Sequence, residues 1–488
     1  MIVYLDTKTR KLHSIINDKG AFERFYEKHK REIWVGYNSR GYDQWVAKAI
    51  LCGFVPYDMN KFIIEDGKKG FMFSKLLYKF PILNYDCSVG FRSLKELEAF
   101  MGHDIRETTV PFDIDRKLTK VELASVLKYC EHDVMETFEV FMATPTEFES
   151  HMGLIKEFNL PLDNVSKTKA QMSASILSAS KRKRDDEFCI STPDTLVLGK
   201  YKWIEDWYYE WAEKAIELND QKAAYKMMEL KLEIGGIPHT CGIGGLHGAI
   251  KNYHGTGYYV LIDADSYYPA MMIEYKYLSR NVYQPVKFRQ IRDERIIMKH
   301  AKDPRQLPRK IVINATFGAA KDPYNNLYDP LQANNTCIAG QLLLIDLVDK
   351  VDGMSELIQS NTDGILVKLE SKDDLPALME ICKEWEVRTR MTLGYEYYKK
   401  VVQKDVNNYI VVEQDGGVKR KGGFVKKLSS IDNDLPIVNR AIVDYFVDGI
   451  PVENTVMASD KMIDFRKVTK SPISMLTDFI TRSRLVKK

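Results

Sequence analysis

Two aspartates one residue apart close an apolar run in the stretch Tyr258–Tyr275, YYVLIDADSYYPAMMIEY. Tyr258 to Ile262 is β-branched and aromatic enough to be a buried strand, so Asp263 and Asp265 fall where that strand emerges. A carboxylate held there is costly unless its charge is met, and a divalent cation is the usual counter-charge. A strand-end turn with solvated Asp and Ser is the competing reading, and this stretch alone leaves both open. Pro269 marks the start of a helix. A third carboxylate, Asp363, lies in LIQSNTDGILVKL, two strands joined by the hairpin signal Asp363-Gly364, which puts Asp363 at the tip.

Cations and a mixed stripe follow the first pair. Phe288–His300 is helical in period and sets Arg295 and Lys299 on one face at i and i+4. Pro308 starts a second helix, RKIVINATFGAA, on which Lys310, Asn314, Phe317 and Gly318 share one stripe. A cation, an amide, an aromatic and a glycine make a poor core face, and a ligand-facing stripe explains the mixture better. Further on, KDVNNYIVV carries Lys404 and Tyr409, and KRKGGF sets Lys421 beside two glycines. The glycine-dense segment Gly235–Ile250, which includes Gly244 and Gly245, has neither a Walker phosphate loop nor a dinucleotide fingerprint. A turn-rich hairpin accounts for it equally well.

The elements that must position these groups divide the chain in three. Residues 1–145 read as one α/β unit: a strand, a polar turn, a second strand, then a helix near Ala21–Glu32 and another from about Asp43. Ser93/Glu96 and Thr119/Glu122 are capping boxes, and Gly102 suits a helix C-terminus. The second capped helix places Tyr129 and Asp133 on one face. Residues 146–235 read as a helical connector, with a basic run Lys181–Arg184 cancelled in sequence by Asp185-Asp186-Glu187. The remainder mixes helices and strands.

With 488 residues, 45% hydrophobic and 28% charged, the composition is that of an ordinary globular protein with room for several cores. A net charge of +3 requires any nucleic-acid surface to be a local basic patch. Seven scattered cysteines with no C-x-x-C pair argue against a zinc ribbon or disulfide framework and suit a reducing compartment. No signal peptide and no apolar run of membrane-spanning length is present. The expectation is a soluble, cytoplasmic protein.

DADSYYP, the RKIVINATFG helix and the NTDG hairpin occur in that order at wide spacing, with R-x-x-x-K between the first two and KDVNNYIVV and KRKGG after the third. Together they resemble motifs A, B and C of the family B DNA polymerases, most of all those of bacteriophages. The resemblance covers roughly residues 230–470. It reaches the first 145 residues through Asn38 to Asp43 and Tyr129 to Asp133, which are similar to the second and third motifs of the attached 3′→5′ exonuclease. It implies an α/β and α+β multidomain fold. A ribonuclease H-like exonuclease remnant would occupy residues 1–145 and a helical connector residues 146–235. A right-hand palm would fill residues 236–488, with helical fingers at about 276–335 and a partial thumb after about 450.

The resemblance also assigns roles. Asp263 and Asp363 would be catalytic and would bind two magnesium ions, for which manganese could substitute. Arg295, Lys299, Lys310 and Asn314 would grip the nucleoside triphosphate. Phe317 and Gly318 would shape the pocket over the new base pair, and Tyr268 would lie beneath the incoming sugar and exclude a 2′-hydroxyl. Lys404, Tyr409, Lys421, Gly244 and Gly245 would contact primer–template DNA. Asp265 corresponds to a position without a metal. Primer–template DNA and deoxynucleoside triphosphates are the implied partners, together with replication accessory proteins, and a phage protein would work in the host cytoplasm.

Two departures temper this. Asn361 stands where motif C usually has a first aspartate, and Asp6-Thr7-Lys8 does not supply the D-x-E of the first exonuclease motif. The expectation is a template-directed polymerase with proofreading lost and a short thumb. A catalytically silent DNA-binding remnant is the alternative, and a surviving exonuclease at Asp43 and Asp133 the third reading.

Overall fold

The computed structural model describes residues 1–111, 114 and 116–469. Its strands, in chain order, are β1 (Ile2–Asp6), β2 (Lys11–Ile15), β3 (Trp34–Gly36), β4 (Asn84–Asp86), β5 (Glu229–Ile234), β6 (Ile237–Gly242), β7 (His247–Ala249), β8 (Tyr253–Ala264), β9 (Glu356–Asn361), β10 (Gly364–Leu369), β11 (Leu393–Asp405), β12 (Asn408–Glu413) and β13 (Val418–Lys421). The last nine form one antiparallel sheet in the order β13-β12-β11-β8-β10-β9-β7-β6-β5. The glycine-dense segment is therefore mostly sheet, contributing β6 and β7.

The apolar run before Asp263 is continuous because both faces of β8 are covered. Val260, Ile262 and Ala264 join the main core with the helices Pro330–Val351 and Leu375–Thr389. Tyr259 and Leu261 face the other way, into a smaller cluster with Leu366, Tyr398, Val401 and Val411. The helix Pro330–Val351 is buried without a break from Leu331 to Val348. Its polar side chains are partnered: Gln341 accepts from Tyr208 Oη at 2.9 Å, and Asp346 pairs with Arg388 at 2.8 Å.

A second core joins the helices Pro285–His300 and Gln306–Ala320 to Pro145–Glu157 and Lys169–Ile176, through Leu154, Met172, Phe288, Ile291, Val312 and Ile313. The stretch 146–235 thus serves two cores, because Tyr201, Ile204, Tyr208 and Trp211 join the sheet's core instead. The β5–β6 hairpin straddles the boundary placed between connector and palm.

At the N-terminus the β1–β2 hairpin and the parallel pair β3–β4 are separate two-stranded sheets, so the α/β unit read in residues 1–145 does not share one sheet. Thr119 and Glu122 make a reciprocal capping box at the start of the helix Lys120–Ala143. Ser93 caps Leu94–Met101, which Gly102 ends at φ 82°. After residue 450 the described chain holds the short helix Val452–Met457 and a single turn, Met462–Phe465. Of the stretch in which a partial thumb is expected, residues 470–488 lie outside the described residues. All seven cysteines are free, and no described helix is long and apolar enough to cross a membrane.

Candidate active site

Antiparallel pairing of β8 with β10 sets Asp263 directly opposite Gly364, and Ala264 N donates to Asp363 O at 2.8 Å. The two carboxylates expected from distant segments are thus brought side by side. The hairpin itself differs from its sequence signal. Asn361 pairs with Gly364, so the turn residues are Thr362-Asp363 and Gly364 already belongs to β10.

Thr362 has φ 54°, a left-handed conformation that costs a β-branched residue on the order of 1–3 kcal/mol. Its surroundings hold it there. Thr362 N donates to Leu246 O at 2.9 Å, and Thr362 Oγ1 lies 3.0 Å from His247 Nε2. A Cβ on Gly245 would come within 2.7 Å of Thr362 Cα, so only glycine lets the β6–β7 loop seat this turn. Gly364 is constrained in the same way: a Cβ there would lie 2.7 Å from Ile262 O and 3.1 Å from Asp263 Oδ1.

Both carboxylates reach solvent at a pocket of about 130 Å³ whose lining includes Leu261, Asn361, Leu366, Tyr398 and Tyr409. The protein around it, then the charges of Asp363, Glu396 and Asp265, push Asp263 up to about 7, against Lys299. Asp363 is also pushed up by its surroundings, with Lys421 and His247 pulling the other way. The donor set is hard carboxylate oxygen, and a divalent cation offsets both the desolvation and the repulsion that lift Asp263. Among the described residues no group of three or more His, Cys, Asp or Glu could hold a metal. Two carboxylates, with remaining positions left to water and phosphate oxygens, are the common arrangement for magnesium, so the residues present fit the ion.

The helix Tyr267–Glu274 begins after Ser266, at φ 50°. Tyr267 is buried and donates to Gly340 O at 2.7 Å, whereas Tyr268 packs on Phe317 with ring centroids 4.5 Å apart. That contact ties the Asp263 segment to the mixed stripe. Lys310, Asn314 and Gly318 are exposed and Phe317 half-buried, while Val312, Ile313 and Thr316 turn inward. Lys299 pairs with Asp265 at 2.8 Å, and Arg295, largely buried, donates to Ser266 Oγ with its Nε unpartnered.

Tyr409 lines the pocket and pairs across the ladder with Lys421, whose charge acts on Asp363. Lys404 is exposed near the end of β11 and does not line the pocket. Gly244 O accepts from Gln341 Nε2 at 3.1 Å, so both glycines of this loop have structural partners here.

The N-terminal candidates gather around an aspartate that the motifs did not flag. Asp86, at the end of β4, accepts from Asn38 N at 3.0 Å and Arg40 N at 2.9 Å. Its charge and that of Asp133 add to the burial that raises Asp43. Asp133 is bound to Lys95 at 2.7 Å, and Lys95 also covers the Tyr129 ring at 4.9 Å and meets buried Glu98 at 3.0 Å. Asp6 caps the β1–β2 turn, accepting from Lys8 N at 2.9 Å.

Sequence motifs also passed over Glu396 and His247. Glu396 lies opposite Leu261 in the β8–β11 ladder, so it shares the face of Asp263, and Lys419 holds it at 2.6 Å. Strand alternation could have placed it, had the partner strand been known. No family model and no curated protein matches the chain. Among solved structures, the family B DNA polymerase from the hyperthermophilic archaeon Pyrobaculum calidifontis is similar over 93% of this chain, at 14% identity and a TM-score of 0.41. The match spans 59% of that polymerase's length.

Proposed function

We propose that this chain is a template-directed DNA polymerase of the family B type, resembling those of bacteriophages, which adds deoxynucleotides to a primer 3′ end. One observation carries the reading. The β8–β10 pairing joins Asp263 and Asp363, and the Tyr268–Phe317 contact brings the exposed stripe of Lys310 and Asn314 to the same segment.

Phosphoryl transfer asks the protein for positioning and charge stabilisation more than for covalent chemistry. Asp263 and Asp363 would hold two magnesium ions, which activate the primer hydroxyl and neutralise the departing pyrophosphate when bound. Lys310 and Arg295 meet the triphosphate, and Lys299 exchanges its contact with Asp265 for a phosphate oxygen. Asn314 orients the nucleotide from the next turn of the same helix. Phe317 supports Tyr268, whose ring then blocks a ribose 2′-hydroxyl. Gly318, with nothing within 4 Å of an added Cβ, leaves space for the new base pair. Tyr409 and Lys421 guide the primer–template backbone.

The Lys95–Asp133 pair supports a chain without proofreading, because it neutralises the carboxylate that a nuclease metal would need. Primer extension with magnesium is the test. Asp263→Ala and Asp363→Ala should each lower the rate at least ~10³-fold, the loss of several kcal/mol of metal-assisted stabilisation. Extension that persists in either variant removes the assignment, and a wild type that binds primer–template without extending it, even with manganese, makes the chain a silent binder.

A further inference from the structure

The floor of the carboxylate pocket carries two amides that have no part in the chemistry assigned so far. Gln359 and Asn361 stand two residues apart on β9, and both line the pocket with Asp263 and Asp363. A β-bulge sets the first of them. Leu366 pairs with Gln359 but Val367 with Leu357, so Ile358 is an extra residue and the strand bends beside it. Bulges of this kind re-aim side chains next to sites.

Gln359 is 5% exposed, and its Oε1 is buried without a hydrogen-bond partner. The other groups on the floor do not meet it. Tyr398 Oη donates to Glu396, Asn361 Oδ1 lies 3.4 Å from Thr362 Oγ1, and Leu261, Leu366 and Val411 are apolar. A buried polar atom without a partner is destabilising, and in a pocket wall it marks a place where a bound group completes the hydrogen bond.

Of the two substrates assigned to this site, the nucleotide is met by the stripe of Lys310 and by Tyr268, which leaves the floor to the primer's terminal residue. A deoxynucleotide terminus has one sugar hydroxyl, the 3′, and the reaction spends it at the carboxylates. A ribonucleotide terminus adds a 2′-hydroxyl on the next carbon of the ring. In a pocket of about 130 Å³, a sugar whose 3′-oxygen meets Asp263 and Asp363 keeps its 2′-oxygen near the remaining wall. A hydroxyl both donates and accepts, so it satisfies either end of the Gln359 amide. The bases offer less, because only guanine shows a donor on its minor-groove edge.

We propose that Gln359, with Asn361 beside it, recognises the 2′-hydroxyl of a ribonucleotide at the primer's 3′ end, so that the chain prefers primers ending in RNA. The inference rests on the polymerase reading and adds to it the chemical class of the primer. Tyr268 makes the opposite choice at the incoming sugar. Each addition therefore leaves a deoxynucleotide terminus, and the preference acts once per strand, at the first addition. A ribonucleotide polymerisation is the class of reaction that supplies such an end.

The experiment uses two primers of one sequence on one template, the first all-deoxy and the second with a single 3′-terminal ribonucleotide. Single-turnover addition of one deoxynucleotide by the full chain, with magnesium, should be about tenfold faster or more from the ribonucleotide end, the gain of one hydrogen bond by a buried polar atom. A 2′-fluoro terminus, which cannot donate, should behave like the deoxy one. Gln359→Leu should bring the ratio of the two rates to within about twofold of one, and Asn361→Ala should lower it less. Both rates come from one preparation, so a poorly folded variant lowers them together and the ratio still reports the contact. A wild-type ratio of one overturns the proposal, and so does a preference that survives Gln359→Leu or that follows a terminal guanine in place of the 2′-hydroxyl. Fluorescence anisotropy with the same two primers, without nucleotide, needs no catalysis. A chain that extends neither primer, yet binds the ribonucleotide end more tightly through Gln359, removes the polymerase reading and leaves the sugar site. A chain that extends both ends equally removes this inference alone.

Discussion

Replacing Gly364 by alanine perturbs the contact that brings the two carboxylates together without touching either one. The added Cβ would lie 2.7 Å from Ile262 O and 3.1 Å from both Asp263 Cα and Oδ1, where ordinary contact begins at 3.4 Å. The strands must therefore separate by about 0.7 Å at this pair, and β9 on the far side limits the retreat of β10. The displacement falls on the Thr362-Asp363 turn and the Asp263 side chain. Overpacking of this kind costs about 1–3 kcal/mol. A catalytic group misplaced by close to 1 Å loses on the order of 10²-fold in rate. Because Lys310 and Arg295 are untouched, the loss should appear in kcat with little change in nucleotide KM. Single-turnover primer extension and urea denaturation measure the two effects. Gly394→Ala is the control: it flanks Asp263 from β11, but its Cβ would sit an ordinary 3.7 Å from Asp263 O, so its urea midpoint should match wild type. Wild-type kcat in G364A, or equal destabilisation of G394A, refutes the geometric argument.

Tyr268→Ala should raise ribonucleotide incorporation relative to deoxynucleotide about 10–200-fold, as read by competing the two substrates in one extension reaction. Asp263, raised to about 7 from an ordinary value of 3.8, keeps its proton in the folded chain after the unfolded chain has lost it. Without divalent cations, stability should therefore fall as pH rises from about 4 to about 7 and level off above that. Melts in chelator should show this slope in wild type and a flatter one in Asp263→Asn, and cation affinity should weaken below about pH 7. Lys95→Met should cost about 1–3 kcal/mol, because fully buried Glu98 would keep only His132, at 3.3 Å, with the loss read from denaturation midpoints. If Lys95 is what blocks a nuclease centre at Asp43, Asp86 and Asp133, the same variant should gain degradation of a labelled single-stranded oligonucleotide, and no gain shows that Lys95 is not the block.

Local structure was largely legible in the residues. The apolar run Tyr258–Ile262 is a strand, Thr119/Glu122 caps a helix, Gly102 ends one, and the stripe of Lys310 is the exposed side of its helix. These follow from periodicity and capping, which act within a few residues. The glycine-dense segment was less readable because its glycines serve distant partners. Gly245 makes room for Thr362, and Gly248 for the His239 ring. Asp363-Gly364 pointed to a type of turn that the chain does not form, since Leu246, His247 and Gly245 hold Thr362 left-handed instead. The charge run at Lys181 misled for a related reason: Asp186 and Glu187 look like its counter-ions in sequence, but the fold gives them Arg280, Gln221 and Tyr225 as partners.

The sequence by itself determined which residue types could do chemistry and which short elements would carry them, because strand, helix and cap preferences are local. Only the tertiary structure decided that Asp263 stands opposite Gly364 and beside Asp363, about a hundred residues away along the chain. Pairing register across a sheet is set by burial on both faces, a property of the whole core that no single segment contains. The same holds for Glu396, for Asp86, and for Gln359 beside its bulge. Their positions depend on which surfaces meet, and electrostatic consequences such as the raised Asp263 arise only once those surfaces are in place.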